Sequence, residues 1–253
     1  MSDAQTIDQV IVQLDQIIAT AIQQQSRIGL FAALYRQVTL KVREGIAAGT
    51  FQDGPRMARL DTIFASRYLD ALATWQASGT PSQCWAYAFD ATKRTDLIIL
   101  QHLLLGINAH INLDLGIAAA QTCPGAAIVE LHDDFNRINQ ILGSLTDSVK
   151  LVIAQFSPLI HLLDHFGASI EDEMVNFSMT IARDDAWQHA QLLAALPSAL
   201  HASTISVLDD KATFLARLVA EPGRALTLVL DAIHLRESTD LPAIIRALNS
   251  IVL

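Results

Sequence analysis

Cysteine is scarce in this 253-residue chain: two residues, Cys84 and Cys123, with no CxxC spacing. They leave room for one disulfide at most and read most simply as reduced thiols of a cytoplasmic protein. Basic charge is also short, with 17 Lys and Arg against 26 Asp and Glu and a formal charge of −9. A nucleic-acid partner or an anionic membrane surface would need concentrated Lys and Arg, so neither is expected. Charged residues make up 17% and hydrophobic ones 51%, which excludes a disordered chain. Long apolar runs are missing as well. The richest, residues 97–105, is interrupted by Gln101 and His102 and is too short to span a bilayer. The opening MSDAQTIDQV has neither the basic start nor the apolar stretch of a secretory signal. No window alternates with period two between turn residues, so no sheet is predicted.

What the chain does have is helical period. Ile7, Val10, Ile11, Leu14, Ile17 and Ile18 recur at i, i+3, i+4, and Phe31, Leu34, Tyr35, Val38 and Val42 repeat the pattern. The stretch AAGTFQDGP, with Gly49, Gly54 and Pro55, breaks it. A third helix is predicted over about 57–75, a fourth over 95–120, a fifth from 126 through the 140s, and a sixth up to Gly167. Ser169, followed by Glu171, Asp172 and Glu173, resembles a capped start for a helix reaching Leu196. Further helices are predicted over 209–220 and 224–235. A last one starts at Asp240, with Pro242 in its first turn. The sum is an all-α chain: a single domain over 1–253, eight to ten helices bundled around a buried central helix at about 95–120.

That fourth helix carries the sequence's main question. In LLLGINAHINLDLG, residues 103–116, apolar side chains cover the whole circumference. Such a helix is surrounded by others, and its polar residues must then find partners. On a wheel, His110 and Asp114 share one side, while Gln101, Asn108 and Asn112 share the opposite one. His-x-x-x-Asp on one face admits three readings. Both side chains can hold one divalent ion such as Zn, Fe or Mn. The carboxylate can instead orient the imidazole as a general acid or base. Or the pair can be a hydrogen-bonded tie between helices.

The following helix, LHDDFNRINQIL, offers His132, Asp134 and Asn139 beside an apolar stripe of Ile128, Leu131, Phe135 and Ile138. Joined by the short TCPG turn, the two helices are expected to pack antiparallel, so that any of the three polar groups can approach the central cluster. The candidates are then His110, Asp114 and Asp134 for catalysis, with His132 joining them for a metal. Asn108, Asn112, Asn139 and His102 are candidates for ligand binding. His161 and His165 form a second i, i+4 pair, next to the helix stop expected at Gly167. GxSxG, HExxH, Walker A and GxGxxG signatures are absent.

LLLGINAHINLDLG followed by DFNRIN resembles the bacterial domain-of-unknown-function family 5995, with further matches in ASRYLDAL (65–72), ARDDAW (182–187) and HLRESTD (234–240). The resemblance implies a single all-helical domain and supplies no reaction. A remoter likeness is to zinc-dependent phospholipases C, helical proteins with an HxxxD ligand pair. Only His110 and Asp114 carry over from that pattern, because the HxxxE pair of those enzymes is not matched. Two functions are left in competition. One is a hydrolase-like enzyme, metal-dependent or His/Asp acid–base, acting on a small molecule in a helical pocket. The other is a non-enzymatic helical protein that binds a small ligand or a partner, its polar core purely structural.

Overall fold

The computed structural model describes residues 5–165 and 179–251, with the side chains of 139–147, 164–165 and 179–180 left undescribed. Among the described residues there is no strand, and eleven helices follow one another. They are α1 (Ile7–Gln24), α2 (Ile28–Ala47), α3 (Gly54–Gln76), α4 (Gln83–Ala91) and α5 (Ile99–Thr122). After them come α6 (His132–Phe156), α7 (Leu162–His165), α8 (Met179–Ala195), α9 (His201–Ala220), α10 (Arg224–His234) and α11 (Leu241–Asn249). This exceeds the eight to ten expected. Helix α4 falls in a stretch where the sequence offers no long periodic run, and α7, at four residues, is too short to show a period. In the opposite sense, the two helices expected between 126 and 167 begin as one continuous α6, entered through a 3₁₀ segment, Gly125–Leu131. The acidic start at 169–173 lies outside the described residues.

Local chemistry explains three of the helix starts. Thr6 and Gln9 form a reciprocal capping box on α1. Asp53 accepts from the Arg56 amide at the head of α3, with Pro55 in the first turn. Asp240 does the same for the Ala243 amide of α11, again with proline in the first turn. Helix α5 is held at its start from further away: the Glu237 carboxylate accepts from the Ile99 amide at 2.8 Å.

Helix α5 is long and apolar enough to cross a membrane by length and composition, yet 89% of its most apolar window is buried within the fold. It packs on α2, α4 and α9 along its first half and on α3 and α8 along its second. Its middle, Ala109–Leu115, is wound as a π-helix, and all seven residues there are buried. Glycine brackets this segment for a steric reason. A β-carbon on Gly106 would meet the Phe31 ring at 2.5 Å, and one on Gly116 would meet the Ala186 carbonyl oxygen at 2.8 Å. Close approach of α2 and α8 therefore requires glycine at both places.

Candidate functional site

The two sides of α5 do different things. Asn108 donates to the Ala212 carbonyl at 2.7 Å, Asn112 donates to the Asn108 side chain at 2.9 Å, and Gln101 donates to the Val219 carbonyl at 2.8 Å. Gln101 and Asn108 thus tie α5 to α9, Asn112 braces Asn108 from within α5, and none of the three lines the large apolar cavity described below. His110 and Asp114 look the other way, toward α2, α3 and α4.

Asp114 is completely buried. One oxygen accepts from Arg67 Nε at 2.6 Å and the other from Trp85 Nε1 at 2.7 Å. Both donors are donor-only groups, so the two oxygens act as acceptors, and the Arg67 contact is a charge-assisted bond. The guanidinium is reached from solvent, its side chain being 27% exposed. Nδ1 of His110 lies 3.6 Å from Asp114 Oδ2, just beyond hydrogen-bond range. An acceptor-only neighbour on that side favours the tautomer with the proton on Nδ1, which leaves Nε2 a bare acceptor.

The imidazole is boxed by aromatic rings. Phe64 stacks on it with centroids 3.5 Å apart and planes 9° from parallel, and Tyr35 meets it edge-on at 4.3 Å. Burial pushes the His110 pKa down, against the pull of Asp114, so the ring is neutral at pH 7.

An apolar cavity of about 270 Å³ opens beside this ring, lined among others by Phe31, Tyr35, Leu60, Phe64, Leu104 and Ile111. Lys150, exposed, stands at its edge. The polar side chains around it are few and mostly unpaired. Neither ring nitrogen of His110, nor Tyr35 Oη, nor Asp61 Oδ2 has a protein partner, although all three residues are at least nine-tenths buried. Desolvation raises the Asp61 carboxyl to about 7 and holds the Tyr35 phenol well above its ordinary value, helped there by the charges of Asp61 and Asp114. Arg183 also lines the cavity; it donates to the Phe135 carbonyl at 2.7 Å and lies over the Phe135 ring.

The other sequence candidates lie elsewhere. Asp134 is buried and accepts from four donors: the Gln52 and Asp53 amides and the Arg56 and Arg137 guanidiniums. A carboxylate has about four acceptor positions, so this one is filled by the task of tying the α2–α3 loop to α6. His132 is half exposed, bonded to Asn136 and set against Trp187. His102 sits in a separate cavity of about 40 Å³ with Arg27, His234 and Glu237. The side chains of Asn139 and His165 lie outside the described residues, and His161 contacts the Pro158 carbonyl. Among the described residues no group of three or more His, Cys, Asp or Glu side chains converges as a metal-binding set. Both cysteines are buried and unpaired.

Tyr35, Asp61, Phe64, Arg67 and Trp85 are the site residues that the sequence reading did not single out. One of them carried a readable signal. Asp61 falls within the apolar stripe Met57, Leu60, Phe64, Ala65, Tyr68 of α3, where an acid has no business unless it is used.

The model of the family of unknown function DUF5995 matches residues 7–222. The chain therefore belongs to that family, and the matched span includes the central segment and all the residues lining the cavity. No curated protein and no solved structure matches the chain, and the remoter phospholipase likeness gains no support from the comparisons.

Proposed function

We propose that this protein binds a small, mostly apolar molecule in the cavity between α2, α3 and α5, and that His110, oriented by Asp114, acts on it as an acid–base group. The observation that carries the reading is the set of three unpartnered polar atoms, His110 Nε2, Tyr35 Oη and Asp61 Oδ2, in residues that line one apolar cavity. Each buried group left unpaired costs roughly 1–3 kcal/mol, and a purely structural core has no reason to gather them in one place. Apolar walls with a few convergent polar groups are the usual make-up of a small-molecule site. At about 270 Å³ the space is nearly twice that of a cavity that takes benzene, which sets the occupant at roughly a dozen non-hydrogen atoms. The π-wound segment adds weight, since such turns are frequent at functional sites.

The chemistry follows from the geometry. His110 Nε2, a bare acceptor, can take a proton from a bound molecule. The imidazolium so formed is stabilised by Asp114, which Arg67 and Trp85 hold in place. Asp61, another carboxyl on the cavity and with a pKa near neutrality, can return a proton.

The test is to denature the purified protein, extract it with organic solvent and analyse the extract by mass spectrometry, alongside a thermal-shift screen of small apolar compounds. A co-purifying molecule, or stabilisation by compounds of this size that His110→Phe weakens, is expected. No extractable molecule, together with no stabilising compound, would overturn the reading.

A further inference from the structure

The unpaired atoms on the cavity also specify what the bound molecule must carry, an argument that rests on the binding role proposed above. His110 Nε2 needs a donor, because Nδ1 faces the acceptor-only Asp114. Tyr35 Oη brings a proton and needs an acceptor. A hydrocarbon satisfies neither, and an ether or ketone satisfies Tyr35 alone. A hydroxyl satisfies both at once, donating to the imidazole and accepting from the phenol.

Charge narrows the class further. An anionic ligand would sit beside Asp61, with Asp114 directly behind His110. The buried cation on the cavity wall, Arg183, is already spent on the Phe135 carbonyl and ring, and Lys150 stands at the exposed edge. Three aromatic side chains, Phe31, Tyr35 and Phe64, supply flat walls suited to a ring.

We infer that the ligand of this cavity is an uncharged, compact ring compound bearing a hydroxyl group, of the phenol or cyclic-alcohol class, held between Tyr35 and His110.

Four probes of matched shape separate the requirements: 2-naphthol, 2-methoxynaphthalene, naphthalene and 2-naphthoate. Their dissociation constants are measured by calorimetry or ligand fluorescence on the full chain. 2-Naphthol is expected to bind about tenfold more tightly than naphthalene or the methoxy compound, the effect of one to two net hydrogen bonds. Tyr35→Phe and His110→Phe, which keep the aromatic volume, are expected to erase that preference while still binding naphthalene. Circular dichroism confirms that each variant is folded, and the loss of preference in either one suffices. Equal affinity for the three neutral probes would overturn the hydroxyl requirement and leave the binding role standing. Tightest binding of 2-naphthoate would overturn neutrality. Failure of all four to bind would overturn this inference, and the binding role would then rest on the extraction experiment.

Discussion

Asp61 is the residue through which the cavity can be weighed. Its carboxyl is held at about 7 in the folded protein against 3.8 when free, because burial disfavours the charged form. The unfolded chain gives up this proton first as pH rises. Between pH 3.8 and 7 the folded state therefore binds more protons, and stability falls with pH across that window. Integrated to pH 8, the difference corresponds to ~4 kcal/mol as a ceiling. Asp61→Asn keeps the shape and removes the titration. At pH 4 both side chains are neutral, and the variant should match the wild type within ~1 kcal/mol, losing a little because its amide is also unpaired. At pH 8 it should be more stable than the wild type by about 2–4 kcal/mol, a large fraction of the stability of an ordinary domain. Urea melts at half-unit steps from pH 4 to 9 give both curves, and the difference between them isolates this one group. Parallel curves would refute the argument, because Asp61 would then be solvated or paired and not left unsatisfied on the cavity.

Other perturbations read other parts of the site. Asp114→Ala leaves Arg67 and the Trp85 N–H without their acceptor and should cost about 3–5 kcal/mol in a denaturant melt, whereas a midpoint near the wild type would mean that the Arg67 contact is not maintained in solution. His110→Phe, stacked on Phe64 and bringing no polar nitrogen, should hold or raise the thermal midpoint while removing the extra shift that 2-naphthol gives over naphthalene. Asp134→Ala should destabilise by about 3 kcal/mol without changing the affinity for 2-naphthol, because that carboxylate ties the α2–α3 loop to α6; a lost affinity would return Asp134 to the site. His102 is pushed down to about 3 by burial, so the unfolded chain takes up its proton first as pH falls. Stability should therefore drop from about pH 6.5 toward 3, and His102→Leu should flatten that part of the acid limb in the same urea series.

The helical class was determined by the sequence alone, because a 3.6-residue period in apolar positions leaves few other ways to bury 51% hydrophobic residues without alternation. The cap at Asp53 lies in a stretch read only as a break, whereas the like cap at Asp240 was legible for the same kind of reason, a short polar side chain two residues before a proline serving the next turn. So was the separation of His110 and Asp114 from Gln101, Asn108 and Asn112, which a wheel can show for a single helix. Helix α4 was missed, because a short helix is fixed by what it packs on and its own nine residues carry no period to read; α7 falls within the sixth expected helix, of which it is only a four-residue piece. The partners were decided only by tertiary structure. Asp134 stands two to three turns of sequence past the TCPG turn and looked free to approach His110, but the α2–α3 loop, eighty residues earlier, claims it with two backbone amides and an arginine. Asp114 is likewise engaged by Arg67 and Trp85, from two other helices. Hydrogen-bond partners distant in sequence leave no periodic trace, and the π-winding of Ala109–Leu115 leaves none either, since every side of that segment is buried. Sequence marked the polar residues in an apolar setting; only the packing of α2, α3 and α5 decided which of them are satisfied and which face a cavity with bonds still to make.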